Sequence, residues 1–367
     1  MNILYLSHLN GASYAGPTYS VPAQIAAQSK FDNVFWYNAA KTDCKEWKKL
    51  PYYHDLTEFP KESIYELPEP FNNPDLIVVE LFYNMTLSNF RKELVSGKIP
   101  YIIIPRGELT KQAQERKKLK KYLANLLLCR KYARKALAIQ YLTDQEYRES
   151  GEGWNHNHLE IPNGINIPKR IKTEFCKDGI KCVSIGRIEP YQKGLDLLID
   201  ACAKKKKELL EAKCTFAICG PDLEGSLVSL KERVRQLGLG NIICFHDGVY
   251  GSEKENLLMS ADVFMMTSRF EGHPMALIEA LSYGLPCIVT TGSNMRKKIE
   301  NKKAGWGADN STDSIAKAIM DMLSSKDKFK QTGLMARELS EQYSWDVIAK
   351  ESHDLYADLL NGKRCVK

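Results

Sequence analysis

Short runs of Ile, Val, Leu and Phe alternate along the chain with longer stretches whose apolar residues recur at helical spacing. The runs fall at 2–7, 34–37, 76–80, 101–104 and 136–141, then at 181–186, 214–219, 242–245, 262–266 and 286–289. Strands alternating with helices predict βαβ units and parallel sheets, hence an α/β fold. The series is interrupted once, at Ile161-Pro162-Asn163-Gly164-Ile165-Asn166-Ile167-Pro168-Lys169, whose prolines and Asn-Gly read as a connector. Two doubly wound parallel-sheet domains are therefore expected, over 1–168 and 169–367. Ligands of such domains sit outside the carboxyl ends of the strands, so the functional residues are expected in loops lining a cleft where the two domains face each other. At the end of the chain, 344–361 predicts an amphipathic helix with apolar residues at 345, 347, 348, 355, 356, 359 and 360. Either it packs on the second domain or it crosses back to the first.

Composition agrees with this division. A length of 367 residues suits two domains, and 44% hydrophobic with 26% charged residues excludes disordered and collagenous classes. The ten cysteines include no C-x-x-C pair, and their scatter among apolar neighbours predicts buried thiols in a reducing compartment. The chain runs from Met1 into an apolar strand without a basic leader, and no apolar stretch approaches the ~18 residues of a membrane span. A cytoplasmic location is expected. The net charge of +7 is uneven: residues 111–135 hold ten Lys/Arg and one acid, leaving the remainder slightly acidic. One localised basic surface needs an explanation.

Three loops could carry chemistry. Gly11 to Thr18 has the glycine spacing of a Walker A loop but Pro17 in place of the phosphate-gripping lysine, which argues against a nucleoside triphosphatase. A helix-opening turn with amides free to meet an anion is left, and a plain βα turn satisfies the same residues. The second loop follows strand 181–186 and carries Arg187 and, six residues on, Lys193-Gly194. A guanidinium fork and an ammonium at the end of a strand suit a diphosphate clamp, although a solvated surface uses the same residues. The third is Thr267-Ser268-Arg269-Phe270-Glu271-Gly272-His273-Pro274-Met275-Ala276-Leu277, where Pro274 opens a helix. The amides of Met275, Ala276 and Leu277 are expected to be unpaired donors at its positive end. Glu271 before this seat and Glu279 on the helix are acceptors suited to sugar or ribose hydroxyls.

The E-x7-E spacing of Glu271 and Glu279 within SRFEGHPMALIEALSYGLPCI, together with IGRIEPYQKGLDLLIDA and IPNGI, resembles retaining glycosyltransferases of family GT4. The resemblance spans about 180–340. It implies the GT-B fold of two Rossmann-like domains, with the nucleotide-sugar donor held by the second and the acceptor by the first. It also implies that Arg187 and Lys193 bind the donor diphosphate, that Glu271 lies beside the transferred sugar, and that Glu279 binds the ribose. Gly16 would lie near the donor phosphates, while Gly220, Gly248 and Val249 would hold the nucleobase and His273 and Pro274 would border the seat. Many family members present a histidine after the fourth strand, where this chain has Arg106. That arginine either assists the reaction or is structural, and His8 at the end of the first strand is a further cleft candidate.

Across 116–137, Leu119, Tyr122, Leu123, Leu126, Leu127, Ala133 and Leu137 recur at helical spacing among the cations. The apolar stripe is expected to face the core, with the charges either solvated or set against an anionic membrane surface at about 1 kcal/mol per basic residue. No nucleic-acid motif accompanies them. His156 and His158 lack partners at metal spacing, and no metal or other cofactor is expected. The reading is a retaining, metal-independent transfer of a hexosyl or related sugar from a nucleoside-diphosphate sugar to a hydroxyl, on a lipid-linked or polysaccharide acceptor. Its setting would be bacterial capsule or other surface polysaccharide assembly at the inner face of the cytoplasmic membrane. The alternatives are a nucleotide-sugar epimerase, a glycan phosphorylase or a non-catalytic peripheral membrane protein.

Overall fold

The apolar runs become parallel strands whose alternate residues feed two separate cores. The computed structural model describes residues 1–12, 16–86, 88–115 and 118–363. One compact unit comprises Met1–Gly164 together with the terminal segment from Trp345, and the other Ile165–Ser344. The division therefore falls at Gly164/Ile165 and again at Ser344/Trp345, inside the connector and just before the last helix.

The first unit contains β1 (Asn2–Ser7), β2 (Asn33–Asn38), β3 (Tyr53–Asp55), β4 (Leu76–Glu80), β5 (Tyr101–Ile104), β6 (Ala138–Tyr141) and β7 (His158–Glu160). They form one parallel sheet in the order β3-β2-β1-β4-β5-β6-β7. Leu4 and Leu6 of β1 and Ile77 and Val79 of β4 enter one core, while Ile3, Tyr5, Leu76 and Val78 enter the other. This period of two, apolar on both faces, marks a sheet covered by helices on each side.

The last helix, Trp345–Leu360, completes the second of these cores. Trp345, Ile348, Ala349, Tyr356 and Leu359 pack with Val21 and Ile25 of the Pro17–Gln28 helix. Polar ties reinforce the docking: His353 Nδ1 lies 3.0 Å from Asp32, and the Tyr356 hydroxyl donates to Gln140 Oε1 at 2.6 Å. Val347, expected on the apolar face, is exposed because the buried face runs through 345, 348, 349, 352, 356 and 359.

The second unit contains β8 (Ile180–Ile185), β9 (Cys214–Cys219), β10 (Ile243–His246), β11 (Val263–Met266), β12 (Cys287–Thr290) and β13 (Gly305–Ala308). These are also all parallel, in the order β10-β9-β8-β11-β12-β13. Val263 and Met265 of β11 face one core, Phe264 and Met266 the other. In both sheets the strand order reverses between two central neighbours, β1 and β4 in the first and β8 and β11 in the second. The crevice beyond the carboxyl ends of such a pair is where open α/β sheets bind ligands.

Among the described residues no helix is long and apolar enough to cross a membrane. The nine described cysteines are free thiols. Six are buried, whereas Cys44 and Cys176 are partly exposed and Cys244 is exposed, in departure from uniform burial.

Candidate active site

In the second unit the loops after β8 and β11 meet at this crevice, and a glycine allows it. Gly194 has φ +61°, a left-handed conformation, and a Cβ there would lie 2.0 Å from the carbonyl oxygen of Thr267. The Thr267 hydroxyl in turn donates to the carbonyls of Lys193 and Gly194, at 3.1 Å each. Lys193 is thereby held against the β11 loop, and its Nζ pairs with Glu271 Oε1 at 2.7 Å. Ser268 Oγ donates to the same carboxylate oxygen at 2.5 Å, and Asn294 Nδ2 donates to the Glu271 backbone carbonyl at 2.7 Å.

Arg269, which the sequence left without a role, locks the two loops together. Its guanidinium makes a bidentate pair with Asp196 at 2.8 and 2.7 Å and lies over the Tyr191 ring, 4.6 Å from the centroid. Hydrogen bonding to Asp196 raises its pKa further, so the tie persists at any physiological pH. Arg187 is exposed and donates to Gln192 Oε1 at 3.1 Å, with no described carboxylate in ion-pair reach. The two expected cations thus differ: one is fixed by a carboxylate, the other is open to solvent.

The Met275–Ser282 helix begins four residues after Glu271. Its amide seat is narrower than expected. The Met275 amide donates to the His273 carbonyl at 2.9 Å and that of Leu277 to the Pro274 carbonyl at 3.0 Å. Pro274 with ψ 67° sits at the cap rather than inside the first turn, and this tightens the chain back on itself. Of the three amides, that of Ala276 alone lacks a partner among the described residues. His273 turns its Nδ1 to Met275 Sδ at 3.2 Å, and its sealed Nε2 has no described partner. Burial, with Lys298 adding to it, lowers its pKa to about 4, so the ring is neutral at physiological pH.

Further along this helix, Glu279 Oε2 accepts from Lys254 Nζ at 2.7 Å. Lys254 lies on the Gly251–Ser260 helix, which follows the loop carrying Gly248 and Val249. The structure therefore links Glu279 and the Gly248-Val249 loop through one ion pair, and Val249 packs partly buried on the second unit's core. Gly220 has a structural cause of its own: a Cβ there would lie 1.6 Å from the Gly186 carbonyl oxygen, so two strand ends approach too closely for any side chain.

In the first unit Gly16 caps the Pro17–Gln28 helix, its carbonyl accepting from the amides of Tyr19 and Ser20 at 3.1 Å each. A Cβ at Gly16 would meet nothing within 4 Å. Ser13, Tyr14 and Ala15 of the Walker-like loop lie outside the described residues.

Arg106 is corrected from a catalytic candidate to an internal tie. Its side chain is 3% exposed and pairs at 2.7 Å with Glu80, which is 0% exposed. Further N–H groups reach Ser20 Oγ at 3.2 Å, Asn163 Oδ1 at 2.8 Å and Gln24 Oε1 at 2.7 Å. A guanidinium spent on four internal acceptors is not offered to a ligand. The loop after it is equally pinned, since Glu108 accepts from the amides of Phe82 and Tyr83 and Glu146 from those of Gly107 and Leu142. His8 is exposed. Among the described residues, no group of three His, Cys, Asp or Glu side chains is placed to hold a metal.

Residues 167–339 match the family described as "Glycosyl transferases group 1". Mannosylfructose-phosphate synthase of Agrobacterium fabrum is 31% identical over 161 residues, 43% of this chain and 35% of that protein. UDP-Gal:alpha-D-GlcNAc-diphosphoundecaprenol alpha-1,3-galactosyltransferase of Escherichia coli is 33% identical over 186 residues, 45% of each chain. The matched stretch thus spans less than half the length of these curated relatives. Among solved structures, HepE of Anabaena in complex with UDP has a TM-score of 0.71 at 17% identity, covering 98% of this chain and 100% of that one. The likeness is one of fold: the two Rossmann-like parallel-sheet units have the GT-B architecture.

Proposed function

We propose that the protein transfers a sugar from a nucleoside-diphosphate donor to a hydroxyl of a lipid-linked or polysaccharide acceptor, retaining the anomeric configuration and using no metal. The observation that carries the proposal is the Lys193–Glu271 pair beside the open Arg187 at the strand-order reversal of the second sheet. Expulsion of the nucleoside diphosphate places developing negative charge where a metal-free site must supply fixed positive charge. Lys193, Arg187 and the free Ala276 amide supply it. Glu271 has one oxygen committed to Lys193 and Ser268, which weakens it as a nucleophile and suits it to orienting the ammonium and, through its other oxygen, a sugar hydroxyl. Glu279 accepts from the ribose hydroxyls in this reading.

In the step that follows, the bond from the anomeric carbon to the phosphate oxygen breaks with its electron pair going to the diphosphate. The acceptor oxygen bonds to the same face of the carbon, and the acceptor proton passes to the departing phosphate. The match of residues 167–339 to the glycosyl transferases group 1 family and the sugar-transferring names of the curated relatives support this reading.

A thermal-shift screen with UDP-, GDP-, ADP- and TDP-sugars tests it, because a ligand of the folded state raises the melting temperature by mass action. One base series should raise Tm with or without EDTA, and the anomeric proton coupling of the product should match that of the donor. No shift with any of the four, or a product of inverted configuration, would contradict the proposal.

A further inference from the structure

The basic segment presents two apolar faces where one was expected. The Lys118–Ala124, Asn125–Cys129 and Arg130–Lys135 segments follow one another as a helical rod with a π-helical turn at its middle. Cys129, Tyr132 and Ala133 fill the first unit's core. Leu119, Tyr122, Leu123, Leu126 and Leu127 point elsewhere and are between 50% and 76% exposed. The expectation that the stripe faces the core is therefore overturned for these five, while Ala133 and Leu137 do pack inward. Spacings of three, four, seven and eight place the five exposed side chains on one face, a larger apolar ridge than soluble surfaces usually leave uncovered.

Cations adjoin the ridge. Arg130, Lys131, Arg134 and Lys135, with Leu126, line a shallow groove of about 430 Å³. None of the four is in ion-pair contact with a described carboxylate. A nucleic acid would meet the cations and leave five apolar side chains in water. An apolar protein face would cover the leucines and leave four charges without counter-ions. Only a surface that is anionic outside and hydrocarbon inside answers both, since long cationic side chains reach up to headgroups while their stems and the neighbouring leucines stay below.

We propose that this helix lies in the plane of an anionic phospholipid bilayer, with Leu119, Tyr122, Leu123, Leu126 and Leu127 beneath the headgroups and the four-cation groove on the lipid phosphates. The partner is the bilayer itself, and the inference goes beyond the donor site and does not depend on it.

Co-sedimentation of the full chain with vesicles tests it without any turnover. The protein should pellet with phosphatidylcholine vesicles containing one-third phosphatidylglycerol and stay in solution with phosphatidylcholine alone. Replacing Arg130, Lys131, Arg134 and Lys135 together by Gln should weaken binding by about several hundredfold, at about fivefold per basic residue. The triple variant Leu119→Ser, Leu126→Ser, Leu127→Ser keeps every charge and should weaken binding by at least about tenfold. Both sets are exposed and should leave the melting temperature unchanged. A Leu123→Trp variant should show quenching by lipids brominated in their acyl chains beyond that of the wild-type tryptophans. Equal binding to both vesicle types, a serine variant that binds like wild type, absence of added quenching, or a serine variant that turns a dimer into a monomer would each overturn the proposal.

Discussion

Two ion pairs of the same length, one at the strand ends of each sheet, do opposite things. Arg106–Glu80 and Lys193–Glu271 are both 2.7 Å apart, but the first is 3% and 0% exposed while the second is 20% and 9% exposed. In the first unit every acceptor around the guanidinium comes from the fold itself: the Pro17–Gln28 helix, the connector and β4. In the second unit the Lys193 side chain is 20% exposed and lines one small cavity with Arg187. Residue type and position after a strand are shared by both cations. What separates a structural ion pair from a binding one is how many of its donors the neighbours already use: four of the five N–H groups of Arg106, against one described bond from the Lys193 ammonium.

The largest expected effect breaks the sealed pair. Arg106→Met leaves the Glu80 carboxylate buried without a counter-charge and should cost about 3–5 kcal/mol of stability, measured by denaturant unfolding, whereas a further Glu80→Leu should restore much of it. Lys193→Ala should instead lower turnover by about 10²–10³-fold while costing clearly less stability than Arg106→Met, since its pair is the more exposed of the two and Ser268 still donates to the Glu271 carboxylate. If both variants lose stability alike, the contrast between the units fails.

Next comes His273. Its pKa in the fold, about 4, lies below the ordinary 6.5, so the unfolded chain takes up the proton first. This contribution to stability is whole above about 6.5 and declines as pH falls toward 4, by up to about 3 kcal/mol at ~1.4 kcal/mol per unit. Thermal unfolding across that window should show the decline in wild type and a flatter profile in His273→Phe. Smallest is Glu279→Ala, which should raise the donor KM by about tenfold with kcat nearly unchanged, the mark of a group that binds ribose equally in ground and transition states. A fall in kcat would place Glu279 in the chemistry and redraw the site.

Much of this architecture is visible in the apolar runs, because central strands of a doubly wound sheet are buried on both faces and read as continuous Ile, Val and Phe. Tyr53–Asp55, His158–Glu160 and Gly305–Ala308 escape notice because they are short edge strands, half-covered and without such a run. The loops bearing Arg187, Lys193 and Glu271 can be picked out by residue type at strand ends. The state of Arg106 cannot, since its acceptors lie 26 to 86 residues away. The same distance hides Arg269, whose partner Asp196 is 73 residues earlier. Periodicity shows that 118–135 is amphipathic but not which side the rest of the unit covers, and there the leucines proved to be outside.

Isothermal titration with free UDP and GDP, in the presence of EDTA, tests the central claim most directly. At least one of the two should bind the wild-type chain, and its affinity should fall at least about tenfold in both Lys193→Ala and Arg187→Ala, each removing a charge-assisted contact of about 1.5–3 kcal/mol. Nucleotide affinity unchanged by both substitutions, in proteins that remain folded, would contradict the assignment of the diphosphate to the loops after β8 and β11.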